Sequence, residues 1–527
     1  MDQALQTIQT TDIENQVKTL GSDAFLGRKP FTRGEDITLE YLEKEFKDIG
    51  LQPVQGSYYQ KVPMVQVAVK PDEQMHFDIP GGVLNLDYKD EFVAFSRRLT
   101  DRIELKDSDL VFAGYGIVAP EYNWNDYADI DVKGKTVVVL VNDPGYGTDR
   151  QDFFTGHAMT YYGRWTYKYE EAARQGASGL LIVHETGPAG YPWNVVLNGA
   201  VIPKLYLEPD DRYMSRCALE GWITSDAARK LMDSYGYDLD ELKEQARQRH
   251  FQAVELDGSV QFAMQSSRQF ATSRNIMGYL PGKEREDEVI IYSAHWDHLG
   301  VDPTLEGDTI YNGAVDNGTS LAWMMEIAEA FASLEDKPSR SVMFFAPTAE
   351  EQGLLGSKYY AENPLFPLEK TVANINNDLM LPYGRYKDVM VTGYGKSGLD
   401  DLLAEVAPEH DRYIFPDPNP HTGMYYRSDH FSFARVGVPA LFARGNCDSR
   451  EHGKEWARKK EQFWLENRYH DPSDEYNPET WDLSGIRDDA RLFFEVGYRL
   501  ANQNNFPGWK EGAEFKKIRE RMMEEQK

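Results

Sequence analysis

The sequence predicts an α/β protein whose larger part is a mostly parallel sheet sandwiched by helices. Two features predict it. From Ser273 onward, strand-like runs alternate with amphipathic helices, the order that builds parallel sheets through helical crossovers. Within that region short, wholly apolar runs such as Val342–Ala346 end in Pro, Thr and Gly, as strands buried on both faces do. At 527 residues the chain is too long for one simple core, so more than one domain is expected.

In chain order, GEDITLEYLEKEFKDIG spaces Leu39, Leu42, Phe46 and Ile49 for an amphipathic helix, with Gly50 at the C-cap position. Residues 61–95 alternate apolar and polar side chains in short runs, which predicts strands. Around Asp107 the character changes, and the runs LVFAGYGIV, KTVVVLV, SGLLIVHE and AVIPKLYLE mark residues 107–255 as an inserted, β-rich α/β domain closing in a helical stretch, Thr224–Gln248. Its segment Gly156–Tyr169 is unusually aromatic, which suits either core packing or a wall over a cleft. Residues 1–106 and 256–505 are assigned to the other, larger domain. The charged tail, 506–527, is expected to be a solvated helix or a frayed end.

Composition narrows the possible partners. Fifty-seven Lys and Arg against 86 Asp and Glu leave a net charge of −29, which disfavours polyanions such as nucleic acid. No apolar run approaches the roughly 20 residues of a bilayer span. Two cysteines, Cys217 and Cys447, are too few for a disulfide framework. The start, MDQALQTIQT, lacks the basic-then-apolar order of a signal peptide and suits a mature N-terminus as well as a cytoplasmic one.

Chemistry gathers at strand ends. In SVMFFAPTAEEQGLLGS a buried strand runs into Glu350 and Glu351. Two neighbouring carboxylates leaving a strand can face different parts of one site, although alone they could equally be helix-start glutamates. EVIIYSAHWDHLG ends in His295 and Asp297, two apart and so facing the same way on extended chain, with His298 expected to point elsewhere. Asp316 precedes a helix in NGAVDNGTS, Asp378 ends the strand of ANINNDLM, and His470 precedes a Pro turn in NRYHDPSDEY. Two histidines with Asp316, Glu351 and Asp378 form a ligand set for two zinc ions that share one carboxylate.

Together, SAHWDHLG, NGAVDNGTS, FFAPTAEEQGLLGS, INNDLM, RSDHFSFARVGVPAL and YHDPSDEY closely resemble the co-catalytic zinc aminopeptidase family that includes bacterial leucyl aminopeptidases, glutamate carboxypeptidases and transferrin receptors. The motifs occur in the family's order. GYGIVAPEYNWNDYADIDVKGKTVVVLV resembles the protease-associated domain often inserted in such chains. The resemblance implies the zinc exopeptidase fold and two zinc ions per chain, with His295 and Asp378 on one, Glu351 and His470 on the other, and Asp316 bridging. Glu350 matches the general base, Asp297 the residue orienting His295, and Tyr469 a tyrosine that steadies the oxyanion in some members. A cis peptide between Asp316 and Asn317 is implied as well. Asn377, Ser320 and Trp323 depart from residues common in the family and touch packing rather than ligands.

The implied activity is release of N-terminal residues from peptides by a metal-activated water, and the implied location is periplasmic or secreted. Alternatives within the family are a carboxypeptidase or modified-peptide hydrolase, for which Arg427 and Arg435 are the nearby cations. A receptor-like binding protein without metals would have no use for the complete ligand set.

Overall fold

The apolar runs become strands because each buries both of its faces. A computed structural model of the chain describes residues 1–525. They form two compact units, one made of residues 1–62, 272–418 and 427–525, the other of residues 63–271 and 419–426.

The first unit contains helix α1 (Arg33–Ile49), the end of strand β1 (Val254–Leu280), β2 (Arg285–Ser293), helix α2 (Ser320–Ala332), β3 (Arg340–Ala346), β4 (Thr371–Asn376), β5 (Asp388–Thr392), β6 (Tyr413–Pro416), helix α3 (His430–Arg435), β7 (Ala440–Arg444), helix α4 (Gly453–Asn467) and helix α5 (Ser484–Asn502). The strand order is β6-β5-β7-β4-β2-β3-β1. β3, β2, β4 and β7 run parallel in succession, while β1 pairs antiparallel with β3, and β5 antiparallel with β7. Alternation along β2 shows why the run is apolar throughout. Ile290 and Tyr292 enter the core shared with α2 and α5, and Val289 and Ile291 enter a second core that holds Phe433 of α3. Helices therefore cover both faces, as predicted.

α1 begins on Thr32, whose side chain accepts from the Gly34 amide, and ends at Gly50 in the left-handed conformation (φ 91°). The charged tail departs from expectation. Within it Trp509 and Phe515 are buried, the Trp509 Nε1 donates to the Gly437 carbonyl, and buried Arg519 donates to the carbonyls of Leu368 and Thr371. A few anchoring side chains dock a segment whose overall charge suggests solvent.

In the second unit, strands Arg102–Phe112, Thr136–Leu140, Gly179–His184 and Leu219–Thr224 run parallel in succession, and Phe92–Phe95 closes that edge antiparallel. The expected insert, 107–255, lies inside this unit. The unit also takes in residues 63–106 and 256–271, because Tyr59–Pro71 pairs with Lys204–Leu207, Phe92–Phe95 with Leu219–Thr224, and Val254–Leu280 with Arg102–Phe112. The stretch 224–248 is two helices, Ser225–Ser234 and Leu239–Ala246, separated at Gly236 (φ 81°) and restarted by Asp238, which accepts from the Asp240 and Glu241 amides. The aromatic segment is largely core. Tyr161, Tyr162, Tyr167 and Tyr169 are buried, and Tyr167 meets Tyr161 and Tyr162 edge-on at 5.3 and 5.0 Å. Both cysteines are free thiols. No helix among the described residues is long and apolar enough to cross a membrane.

Candidate metal centre

The first unit brings its strand ends together at the carboxyl edge of the sheet, where parallel α/β architecture leaves a crevice for ligands. β2 delivers His295 and His298, β3 delivers Glu350 and Glu351, β4 delivers Asp378, and the turn before α2 delivers Asp316. That turn is tight. Gly313 has φ 56°, and a Cβ there would stand 2.2 Å from the Asp316 carbonyl oxygen, so no other residue fits. The Asp316–Asn317 peptide is cis, as the resemblance implied.

Asp316 lies at the middle of the cluster. Its Oδ1 is 3.4 Å from His295 Nε2 and its Oδ2 is 3.3 Å from His470 Nε2. On the first side, Asp378 Oδ1 lies 3.5 Å from the same His295 nitrogen. On the second, Glu351 Oε2 lies 2.9 Å from His470 Nε2. Ligands about 2.1 Å from a tetrahedral zinc stand about 3.4 Å from one another, the spacing found around His295. The buried His295 Nε2 and Asp378 Oδ1 have no hydrogen-bond partner, which leaves them open to a cation. The donor set, imidazoles and carboxylates, suits zinc.

Residues 275–492 match the family model for peptidase family M28. That stretch is similar to a peptidase family M28 domain. It is 33% identical over 125 residues to aminopeptidase NAALADL1 of Mus musculus, an alignment covering 23% of this chain and 15% of that protein. It is 32% identical over 111 residues to aminopeptidase YwaD of Bacillus subtilis, covering 21% and 22%. The chain thus spans less than a quarter of the length of these curated relatives. Its fold resembles that of the aminopeptidase from Aneurinibacillus sp. strain AM-1, with a TM-score of 0.50, 17% identity, and coverage of 96% and 97% of the two chains.

The electrostatics of the centre separate its two glutamates. Burial drives the Glu350 carboxyl well above its ordinary range, reinforced by Asp378 and Glu351 and opposed by His295. Glu351 moves the other way. Burial and Asp316 work to raise it, but His470 and His298 bring it down to about 2. The imidazoles respond to the same crowd of carboxylates. Burial disfavours charge on His470, yet Glu351 and Asp316 carry it up to about 10. The crowd of buried carboxylates leaves negative charge that a bound cation would offset.

The structure gathers all the predicted ligands, but it changes some roles around them. The Nδ1 of His295 meets the main-chain carbonyl of Asp297 at 3.1 Å, while the Asp297 carboxylate stands 3.8 Å away and accepts the Glu350 amide at 3.0 Å. Asp297 thus positions both the histidine and the glutamate. His298 does not point elsewhere as expected. Buried, it sets Nδ1 2.7 Å from Glu351 Oε1, and it stands with Asp316 and Glu351 as a group able to hold a metal. Glu350 likewise lies within reach of His295 and Asp378 as a group able to hold a metal. Tyr469 stacks on His470 with ring centres 3.9 Å apart.

Other supports have no local pattern that marks their role, although Ser428 and Asp474 fall within RSDHFSFARVGVPAL and YHDPSDEY. Ser428 Oγ donates to Asp378 Oδ2 at 2.8 Å, and Asp474 accepts the Val315 and Asp316 amides. Arg28 is fully buried and donates to the carbonyls of Leu20, Trp296, Asn312, Gly313 and Asp316, tying the Asp316 turn to the segment that bears His295. Arg28→Met would leave these carbonyls unpaired. It is expected to cost at least about 3 kcal/mol, read as a lower denaturant midpoint.

Proposed function

We propose that this chain is a two-zinc aminopeptidase that releases N-terminal residues from peptides. The observation behind the reading is the arrangement of Asp316, whose two oxygens face separate histidines, each accompanied by its own further carboxylate. That arrangement would hold one zinc between His295 and Asp378 and a second between Glu351 and His470. Zinc there would supply Lewis acidity to the attacking water and to the scissile carbonyl.

The rest of the work falls to the chain's own groups. Glu350 takes the proton from the attacking water at its carboxylate and returns it to the leaving amine. Its amide is fixed by Asp297, so the carboxylate keeps one placement for both transfers. The Tyr469 hydroxyl donates a hydrogen bond to the oxygen that gains charge, and its ring is held against His470. A dry site strengthens each of these interactions, and His295, Asp316 and Glu350 are all shielded from water.

Purified protein should bind about two zinc per chain, release the nitroaniline from aminoacyl-nitroanilides, and leave N-acetylated peptides intact. Zinc content of one or none, or cleavage confined to blocked peptides, would reject the reading. The stretch GYGIVAPEYNWNDYADIDVKGKTVVVLV supports reading the second unit's parallel strands as a protease-associated domain. With that domain comes the proposal of export, tested by fractionating cells for the mature chain.

A further inference from the structure

The first unit has a cavity of about 310 Å³ that none of the predicted metal ligands lines. That volume suits a small organic ligand. One wall is α4, where Lys460, Phe463 and Trp464 stand three and four residues apart and so share a face of the helix. Trp464 is held from behind, buried against Val315, Leu379 and Leu381. The other wall is Tyr383 and Trp481, whose segments are laced together. The Gly384 amide donates to the Asp482 carbonyl and the Asp482 amide to the Pro382 carbonyl, each at 2.9 Å, and Tyr476 meets Trp481 edge-on at 5.3 Å. Asp474 also lines the cavity and accepts the Asp316 amide at 3.0 Å, so the cavity backs onto the turn that carries Asp316.

Charge in the lining is uneven. Lys460 is half-buried, with its Nζ 5.4 Å from the centre of the Tyr383 ring and 5.5 Å from that of Trp456. Arg468, also half-buried, donates from Nη1 to the Ser473 carbonyl at 2.6 Å. Among the described residues neither cation is in an ion pair, in a chain whose net charge is −29. The two carboxylates of the lining differ. Both oxygens of Asp474 accept main-chain amides, those of Val315 and Asp316. Glu475 is exposed and accepts from Asn312 Nδ2 at 3.1 Å through Oε1, which leaves Oε2 for another donor.

We infer that this cavity binds a free aromatic α-amino acid, with its carboxylate on Lys460 and Arg468, its ammonium on Glu475 and its ring against Tyr383, Trp464 and Trp481. Two unpaired cations call for one anionic group, and charge-assisted hydrogen bonds from them are the strong kind. The aromatic walls call for a planar apolar body. A dicarboxylate or a phosphate would meet Glu475 with like charge, and an aromatic amine would leave Lys460 and Arg468 unpaired. A zwitterion answers both ends. The walls are fixed by contacts of their own, so little ordering opposes binding. The inference stands without the aminopeptidase reading, although that reaction would itself release residues of this kind.

The test is isothermal titration of the full-length zinc-loaded protein with L-tryptophan, L-tryptophan amide, which lacks the carboxylate, and indole-3-propionate, which lacks the amine. Tryptophan should bind with one-to-one stoichiometry, and the amide about 10-fold or more weaker, the size of a lost hydrogen bond to a charged group. Lys460→Met keeps the stem against Tyr383 and removes the charge. It should weaken tryptophan by a similar factor, leave the amide unchanged and leave zinc content unchanged. Glu475→Gln keeps an acceptor for Asn312 and should weaken tryptophan but not indole-3-propionate. Four results would overturn the inference: no saturable binding at millimolar tryptophan, an amide that binds as well as the acid, a tryptophan affinity that survives Lys460→Met, which would place the ligand at the metal centre instead, or one that survives Glu475→Gln.

Discussion

Glu350→Gln is expected to lower kcat by about 10²- to 10⁴-fold, the range over which a positioned proton carrier acts, while zinc content is unchanged. The substitution keeps the size and hydrogen-bonding shape of the side chain and removes only its ability to take a proton. Asp297 would still accept the residue 350 amide, so the loop stays in place. KM should move little, because the carboxylate acts on the proton in flight rather than on bound substrate. The control is its neighbour. Glu351→Gln removes a group that sits 2.9 Å from His470 and 2.7 Å from His298, and there activity should fall together with zinc content. Full activity in Glu350→Gln with metal retained would refute the assignment. So would loss of zinc in that variant, which would make Glu350 a ligand, as its grouping with His295 and Asp378 allows.

Asp316→Ala should have the broadest effect on the centre. The residue faces both histidines, so its loss weakens both halves at once, and zinc affinity should drop by at least the roughly 10- to 100-fold typical of losing a mere supporting group. Isothermal titration with zinc into metal-free protein would read two weakened sites. If one site kept its affinity, Asp316 would serve a single ion and the bridged arrangement would be wrong. The stability consequence differs between the two forms. Metal-free protein should gain or lose little, because the substitution removes one of several crowded carboxylates. The melting temperature of the zinc-loaded form should fall, since ligand binding to the folded state supplies part of its stability.

Much of the cluster is legible because most of its residues sit where a strong local pattern ends. The run Val342–Ala346 has to be a buried strand, and the residues just past the carboxyl end of a buried parallel strand lie at the edge where ligands collect. Hence Glu350, Glu351, His295 and Asp378 can be named from sequence, and the helix beginning near Ser320 places Asp316. Resemblance, rather than periodicity, divides these residues between two ions and marks the cis peptide. The residues that differ from expectation share a cause. Strict two-residue alternation turns His298 away from His295, but β2 stops at Ser293 and the chain beyond it is no longer extended. The charge of the tail after Phe506 points to solvent, yet Trp509, Phe515 and Arg519 decide where it lies.

The sequence by itself determined most of the elements and which imidazoles and carboxylates stand at their ends, because apolar periodicity and turn residues act over short stretches of chain. Only the tertiary structure decided the partners. That Arg28 ties the Asp316 turn, that Asp297 gives its carboxylate to the Glu350 amide, and that Ser428 holds Asp378 all depend on contacts between residues far apart in the chain. Hydrogen bonds and buried charges are satisfied by whatever the fold brings within about 3 Å, and no local pattern records that choice.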